Sequence, residues 1–216
     1  MNRAKHLTVW TGGSLISALA VLLFAGCQSG QEQSGSGTAT ASAPAAPAMA
    51  APAAPAAPAA PESALKAVRV DAGATNSYTD SEGNVWLPDQ GFAGGDVVDR
   101  GEDTQIANTK DPAIYRTEHY DMTAFSQTVP NGKYTVKLHF AETYGDITGT
   151  GQRVFSVTVG GHELKDLDVF AKAGGGLRAD VETVDDVDVT NGSLDITFTP
   201  NIQSPEINGI EIIPAP

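Results

Sequence analysis

Residues 131–144 read Asn-Gly-Lys-Tyr-Thr-Val-Lys-Leu-His-Phe-Ala-Glu-Thr-Tyr. Within them Tyr134, Val136, Leu138 and Phe140 alternate with Thr135, Lys137 and His139, a period of two that belongs to a half-buried antiparallel strand rather than to a helix. The same beat returns twice. Phe155, Val157 and Val159 alternate with Ser156 and Thr158, and Leu194, Ile196 and Phe198 with Asp195 and Thr197. Gly160-Gly161, standing between residues 155–159 and 162–167, is a two-residue hairpin signal, and Asn131-Gly132, Asn191-Gly192 and Pro88-Asp89 mark further reversals. No window of a dozen residues carries a helical pattern. Many short strands at close spacing, with one long irregular stretch from Gly91 to Asp111, predict an all-β fold, an antiparallel β-sandwich of jelly-roll type.

Upstream of these strands the composition changes twice. In the chain of 216 residues, Arg3 and Lys5 precede an apolar run from Leu7 to Phe24, the layout of a secretion signal. The run ends in Leu23-Phe24-Ala25-Gly26-Cys27, which resembles a bacterial lipobox, with the chain's only cysteine at the position that takes the lipid. Acyl chains on Cys27 would anchor the protein to a membrane, and Gln28, in place of the Asp that signals inner-membrane retention in similar lipoproteins, points to the outer membrane. Residues 27–66 then collapse to Ala, Pro, Ser and Gly, with residues 43–61 reading APAAPAMAAPAAPAAPAAP. No core forms from such a segment. Its prolines favour a semi-rigid extended spacer of about 3.1 Å per residue, a reach on the order of 60 Å for that run. The expected organisation is a signal peptide over 1–26, a lipidated Cys and disordered linker over 27–66, and a domain over 67–216.

Charge narrows the partners. The chain carries 13 Lys+Arg against 26 Asp+Glu, a net charge of −13. Without a cationic cluster it lacks the means to neutralise phosphates, so nucleic acid is excluded as a partner. One cysteine makes neither an intrachain disulfide nor a Cys-rich zinc site. A domain of about 150 residues buries roughly 70% of its unfolded surface, so its core alone holds it together, and a monomer is expected.

Three kinds of chemistry are open to the acidic domain. Glu118 and Glu142, each at a strand end beside a Tyr, are the natural pair for a glycosidase, which needs two carboxylates flanking a scissile bond; strand-end carboxylates more often bind loop backbone, and no catalytic residue is expected. Asp96, Asp99, Glu102 and Asp103, or the shorter Asp80-Ser81-Glu82-Gly83-Asn84, offer hard oxygens to calcium, though neither follows an EF-hand loop; no cofactor is expected otherwise. His119, His139 and His162 fall at alternating positions that read as solvated faces. Tyr120 and Tyr144 end strands at a loop rim, where a flat ring takes the apolar C–H face of a pyranose while amides and carboxylates read its hydroxyls.

At these residues the chain resembles malectin domains, a carbohydrate-binding β-sandwich family found in an endoplasmic-reticulum glucan-binding protein, in plant receptor kinases and beside bacterial glycoside hydrolases. The resemblance is carried by Val70-Asp71-Ala72-Gly73, by Tyr78-Thr79-Asp80 with Gly83 and Trp86, by Gly91-Phe92-Ala93-Gly94-Gly95, by Tyr115-Arg116-Thr117-Glu118-His119-Tyr120, by Phe140-Ala141-Glu142-Thr143-Tyr144, by Arg153-Val154-Phe155 leading to Leu164–Phe170, and by Ile207-Asn208-Gly209-Ile210-Glu211-Ile212. It implies a sugar site built from four aromatics and an Asp, of which Tyr120 and Tyr144 match. Gly145 replaces the aromatic after Tyr144, no aromatic stands near Val97 or Val98, and the late-loop Asp falls near Asn201 to Gln203. The resemblance therefore implies binding of an oligosaccharide by Tyr120, Tyr144, Asp146, Asn201 and Gln203. The alternative is an envelope protein or peptide bound through the same fold.

Overall fold

The structure is a computed structural model that describes residues 65–216. The signal run, Cys27 and nearly all of the Ala/Pro-rich linker lie outside the described residues. The first strands are β1 (Val68–Asp71), β2 (Tyr78–Thr79), β3 (Val85–Trp86), β4 (Phe92–Ala93), β5 (Asp96–Asp99), β6 (Thr117–Tyr120) and β7 (Ala124–Thr128). They are followed by β8 (Gly132–Phe140), β9 (Val154–Val159), β10 (His162–Leu167), β11 (Asp180–Val189), β12 (Ser193–Ile202), β13 (Glu206–Ile207) and β14 (Gly209–Pro214), with a short helix α1 (Val169–Ala173). Two sheets carry the bulk of the domain, one ordered β1-β14-β8-β11 and the other β10-β9-β12-β7-β4, and every pairing between strands is antiparallel.

The core lies where the period of two places it. Tyr134, Val136, Leu138 and Phe140 of β8 join Phe155, Val157 and Val159 of β9 and Leu194, Ile196 and Phe198 of β12 in one buried cluster, closed by Ile210 and Ile212 of β14. Each such side chain removed from water contributes roughly 1.5–3 kcal/mol, so this contact between the sheets dominates stability. One hairpin signal holds as such, since Gly160-Gly161 joins the paired strands β9 and β10, while the other reversals carry the chain between sheets. Gly160 and Gly161 adopt φ of 52° and 90° between β9 and β10, and the Asn131 and Asn191-Gly192 turns are tied together by the Gly192 amide donating to Asn131 Oδ1 at 2.8 Å. At the sheet edge, β11 shifts register between Val184 and Val187 and displays Asp185, Asp186 and Asp188. A bulge and charge together discourage a second chain from adding there.

Two expectations are corrected here. The stretch from Gly91 to Asp111 is not wholly irregular, since β4 and β5 lie within it. His119 and His139 are buried, at 7% and 8% exposure, rather than solvated. Their strands carry alternation, but the faces assumed to meet water are covered by further layers. A second small core of Trp86, Ile106, Ile114, Tyr115, Ala141 and Ala179 covers His139's side of β8. Phe92 stacks on His119 with ring centroids 4.3 Å apart.

Candidate functional site

A third, three-stranded sheet ordered β13-β6-β5 positions the site. Its central strand β6 sorts its side chains by the alternation of a strand. On one face Thr117 donates to Asp71 Oδ1 at 2.9 Å, and His119 contacts Asp89 Oδ1 through Nδ1 and the Gly94 carbonyl through Nε2, each at 2.9 Å. On the other face Glu118 and Tyr120 line a cavity of about 300 Å³. Two glycines let neighbouring loops lie directly on this strand. Gly73 and Gly95 adopt φ of 81° and 83°, and a Cβ on Gly73 would come within 2.6 Å of the Glu118 carbonyl oxygen, while one on Gly95 would collide with that of Tyr120. A side chain at either would push the loop off the strand that carries the site.

Around the cavity, β5 and its end contribute Val98 and Arg100, the segment after β8 contributes Tyr144, the residue before β9 is Arg153, and the turn between β12 and β13 contributes Gln203 and Ser204. Tyr144 is 43% exposed at the rim and Tyr120 half-buried. The turn is held in place: Gln203 takes a φ of 63°, Ser204 donates to Asp121 Oδ1 at 2.8 Å, and the Asp121 amide donates to the Pro205 carbonyl at 2.9 Å.

In and beneath the cavity wall lie mostly buried charges, of which Arg100 is the most exposed at 26%. Arg100 donates from Nη2 to Glu118 at 2.9 Å and from Nε to Thr143 at 3.0 Å, and Thr143 in turn donates to the other oxygen of Glu118. Arg153 donates from Nη1 to the Ser204 carbonyl at 2.9 Å, and its Nε lies 2.8 Å from Glu142 Oε2, a charge contact off the N–H direction. The other oxygen of Glu142 accepts from the Tyr144 amide at 2.9 Å. Burial raises the Glu142 pKa above the ordinary range, with Arg153 opposing. Glu206, fully buried on β13, has no hydrogen-bond partner on either carboxyl oxygen among the described residues. Burial first, and then the charges of Glu118 and Glu142, push it well above an ordinary glutamate.

Of the predicted contacts, Tyr120, Tyr144 and Gln203 line the cavity. Asp146 meets it through the Tyr144 hydroxyl, which it accepts at 2.7 Å. Asn201 does not line it; its side-chain amide is tied to Asp166. Val98 stands where an aromatic of the family was sought. Glu118 and Glu142, the natural carboxylate pair for a glycosidase, are each held by an arginine. Arg100 and Arg153 were not anticipated as site residues, because a lone Arg at a strand end has no periodic signature; the only hint was Arg153 within the Arg153-Val154-Phe155 run. Among the described residues no group of three or more His, Cys, Asp and Glu converges as a metal site. Asp80 is spent within its own turn, accepting from the Glu82 and Asn84 amides, the Asn84 side chain and Trp86 Nε1.

The profile of the malectin domain matches residues 66–211. The chain belongs to the malectin domain family. Among curated proteins, Receptor-like protein 4 of Arabidopsis thaliana is 35% identical over 94 residues, which are 43% of this chain and 15% of that protein. Among solved structures, a β-glucuronidase of Bacteroides uniformis superposes with a TM-score of 0.62 at 22% identity, over 70% of this chain and 18% of that one. The extracellular domain of ANXUR2 from Arabidopsis thaliana gives a TM-score of 0.58 at 19% identity, over 68% of this chain and 48% of that one. A complex of the plant peptide RALF23 with FER and LLG2 gives 0.58 at 20%, again over 68% and 48%. The chain thus spans less than half the length of each of these relatives, and at such identities the structural likeness is one of fold.

Proposed function

We propose that this chain is a non-catalytic carbohydrate-binding lipoprotein. In this reading its malectin domain holds a neutral, glucan-like oligosaccharide of the cell surface in the Tyr120–Tyr144 cavity, Cys27 carries the lipid, and the Ala/Pro-rich linker sets the domain away from the outer membrane. The observation that carries the reading is the convergence of two tyrosines from distant segments on one cavity whose remaining wall is Val98 together with amide, hydroxyl, guanidinium and the Glu118 carboxylate. A pyranose presents an apolar face to the rings and hydroxyls to Gln203, Ser204 and Arg100. With two rings and no enclosing pair, affinity is expected on the order of 10 μM to 1 mM. A glycan array probed with the wild-type chain, Tyr120→Ala and Tyr144→Ala tests it: glycan signal lost in both variants supports a sugar site, and signal unaffected by either removes it. Cys27→Ser tests the anchor, which predicts loss of fatty-acid incorporation and of membrane fractionation.

One observation favours a second reading, an envelope protein or peptide partner. Val97 and Ile202, next in sequence to the cavity residues Val98 and Gln203, are 51% and 50% exposed, and a structure of similar fold is a peptide complex. Retention of a protein partner by the Tyr variants, with no glycan bound by wild type, would select it.

A further inference from the structure

The site's wall is built over three carboxyl groups and two guanidiniums, and the odd carboxyl is Glu206. Its burial is complete and neither oxygen has a hydrogen-bond partner, an arrangement in which a carboxylate is costly and a neutral acid far less so. Its neighbours pair without it. Arg100 serves Glu118 and Thr143, and Arg153 serves Glu142 and the Ser204 carbonyl. With Glu206 neutral, two cations balance two carboxylates; with Glu206 ionised, the buried group carries one uncompensated negative charge.

Glu206 is also joined to the site through the backbone. Its strand pairs with β6 so that Glu206 stands opposite Tyr120, and two residues before it is Ser204, whose carbonyl Arg153 holds. The charges that act on Glu206 are Glu118 from β6, Glu142 from the segment after β8, Arg153 before β9 and Arg100 after β5. The Tyr120 and Tyr144 hydroxyls belong to the same cavity, while the histidines and Asp121 face elsewhere. His119 contacts Asp89, His139 contacts Tyr115 and Glu211, and Asp121 takes the Ser204 hydroxyl on the exposed side.

We propose that Glu206 is the positioning residue of this cavity, protonated while the cavity is formed, and that loss of its proton draws Arg153 and Arg100 from the Ser204 carbonyl and Thr143 and so releases the Gln203–Ser204 rim. For sugar affinity this rests on the carbohydrate reading above; the charge state of Glu206 and its hold on the arginines do not. The neutral acid makes the pocket one for an uncharged saccharide, because no counter-charge is then left for the ligand to supply. Burial and the two neighbouring glutamates keep the proton in place at pH values where ordinary glutamates have lost theirs.

The experiment follows side-chain carboxyl and arginine Nε–H resonances of the intact chain against pH, in wild type and Glu206→Gln, and titrates both proteins with maltose across the same range. The expected result is one glutamate carboxyl that stays protonated beyond the others in wild type and is missing in Glu206→Gln, with the Arg100 and Arg153 signals moving through that transition in wild type alone. Maltose affinity then falls several-fold through the transition in wild type and stays level in Glu206→Gln. If every glutamate titrates in the ordinary range, or the arginine signals move identically in both proteins, the proposal is overturned. Maltose binding that depends on pH equally in both proteins overturns it as well. If maltose binds neither protein at any pH, the sugar reading loses its neutral-glucose form, and the arginine signals alone decide for or against Glu206.

Discussion

The domain holds two buried polar networks of similar composition, one closed and one open. In the closed network Arg69 donates to Glu211 at 2.7 Å, His139 Nε2 donates to the other oxygen of Glu211 at 3.0 Å, and the Tyr115 hydroxyl meets His139 Nδ1 at 2.8 Å. Trp86 packs edge-on against the His139 ring, with centroids 5.2 Å apart. Burial alone would raise the Glu211 pKa, but its bonds to His139 and Arg69 outweigh burial and hold it below the ordinary value. In the open network, under the cavity, carboxyls outnumber cations, Glu142 and Glu206 are both pushed up, and Glu206 has no partner. The difference separates a network that specifies the fold from one that supports a surface. A satisfied network fixes β1, β8 and β14 against the small second core, whereas an under-satisfied one beside a cavity is where a proton or a ligand changes the geometry at low cost.

Breaking the closed network gives the largest expected effect. Glu211→Ala strands Arg69 and His139 without their acceptor and should cost about 3–5 kcal/mol or prevent folding, read by denaturant unfolding at neutral pH. Glu206→Gln should do the reverse and raise stability at neutral pH, since it removes a buried carboxyl whose pKa the folded state pushes well above its unfolded value. Equal losses from both variants would erase the distinction between the networks.

A pH-dependent effect comes from the back face of β6. Asp71, buried against Thr117 and further raised by Asp89 and Asp99, has its pKa pushed up by burial from 3.8 to about 7. The folded state therefore keeps this proton longer than the unfolded state. Stability from this group is complete below the unfolded value and declines as pH rises toward 7, by about 1.4 kcal/mol per pH unit crossed. Asp71→Asn keeps an oxygen for the Thr117 hydroxyl and should flatten that slope in thermal melts taken from pH 4 to 8. A slope unchanged in the variant would mean that Asp71 is not the source.

The smallest effects on stability fall at the rim. Tyr144→Ala should change unfolding free energy by about 0.5 kcal/mol or less, because the ring sits at the exposed rim and outside the main core, while weakening glycan binding several-fold. Tyr120→Ala, half-buried, should cost more stability for a similar loss of binding. If both cost several kcal/mol, the rings belong to the core and the protein-partner reading moves ahead.

Strands β8, β9 and β12 were legible because each is long enough to show a period of two and borders a Gly-containing turn, and β10 because it follows the Gly160-Gly161 hairpin signal. Strands β4 and β5 were not, since two and four residues are too few to display a period. The histidines were misread for one physical reason. Alternation states which face meets the main core, but nothing in it states that the opposite face is covered, as Trp86 and Tyr115 cover His139 and Phe92 covers His119. At the site, Tyr120 and Tyr144 were readable from the scarcity of aromatics and their strand-end places. Arg100, Arg153 and Glu206 were not, because their meeting depends on three separate chain segments, after β5, before β9 and on β13, that only the fold brings together.

The central claim, that the cavity between Tyr120 and Tyr144 is a sugar site, is tested most directly by mapping chemical-shift changes along the chain as the best array glycan is titrated in. The account predicts changes concentrated at Tyr120, Tyr144, Gln203, Ser204 and the Arg100 and Arg153 side chains, saturating together. Changes that saturate elsewhere on the domain and leave these residues still would contradict it.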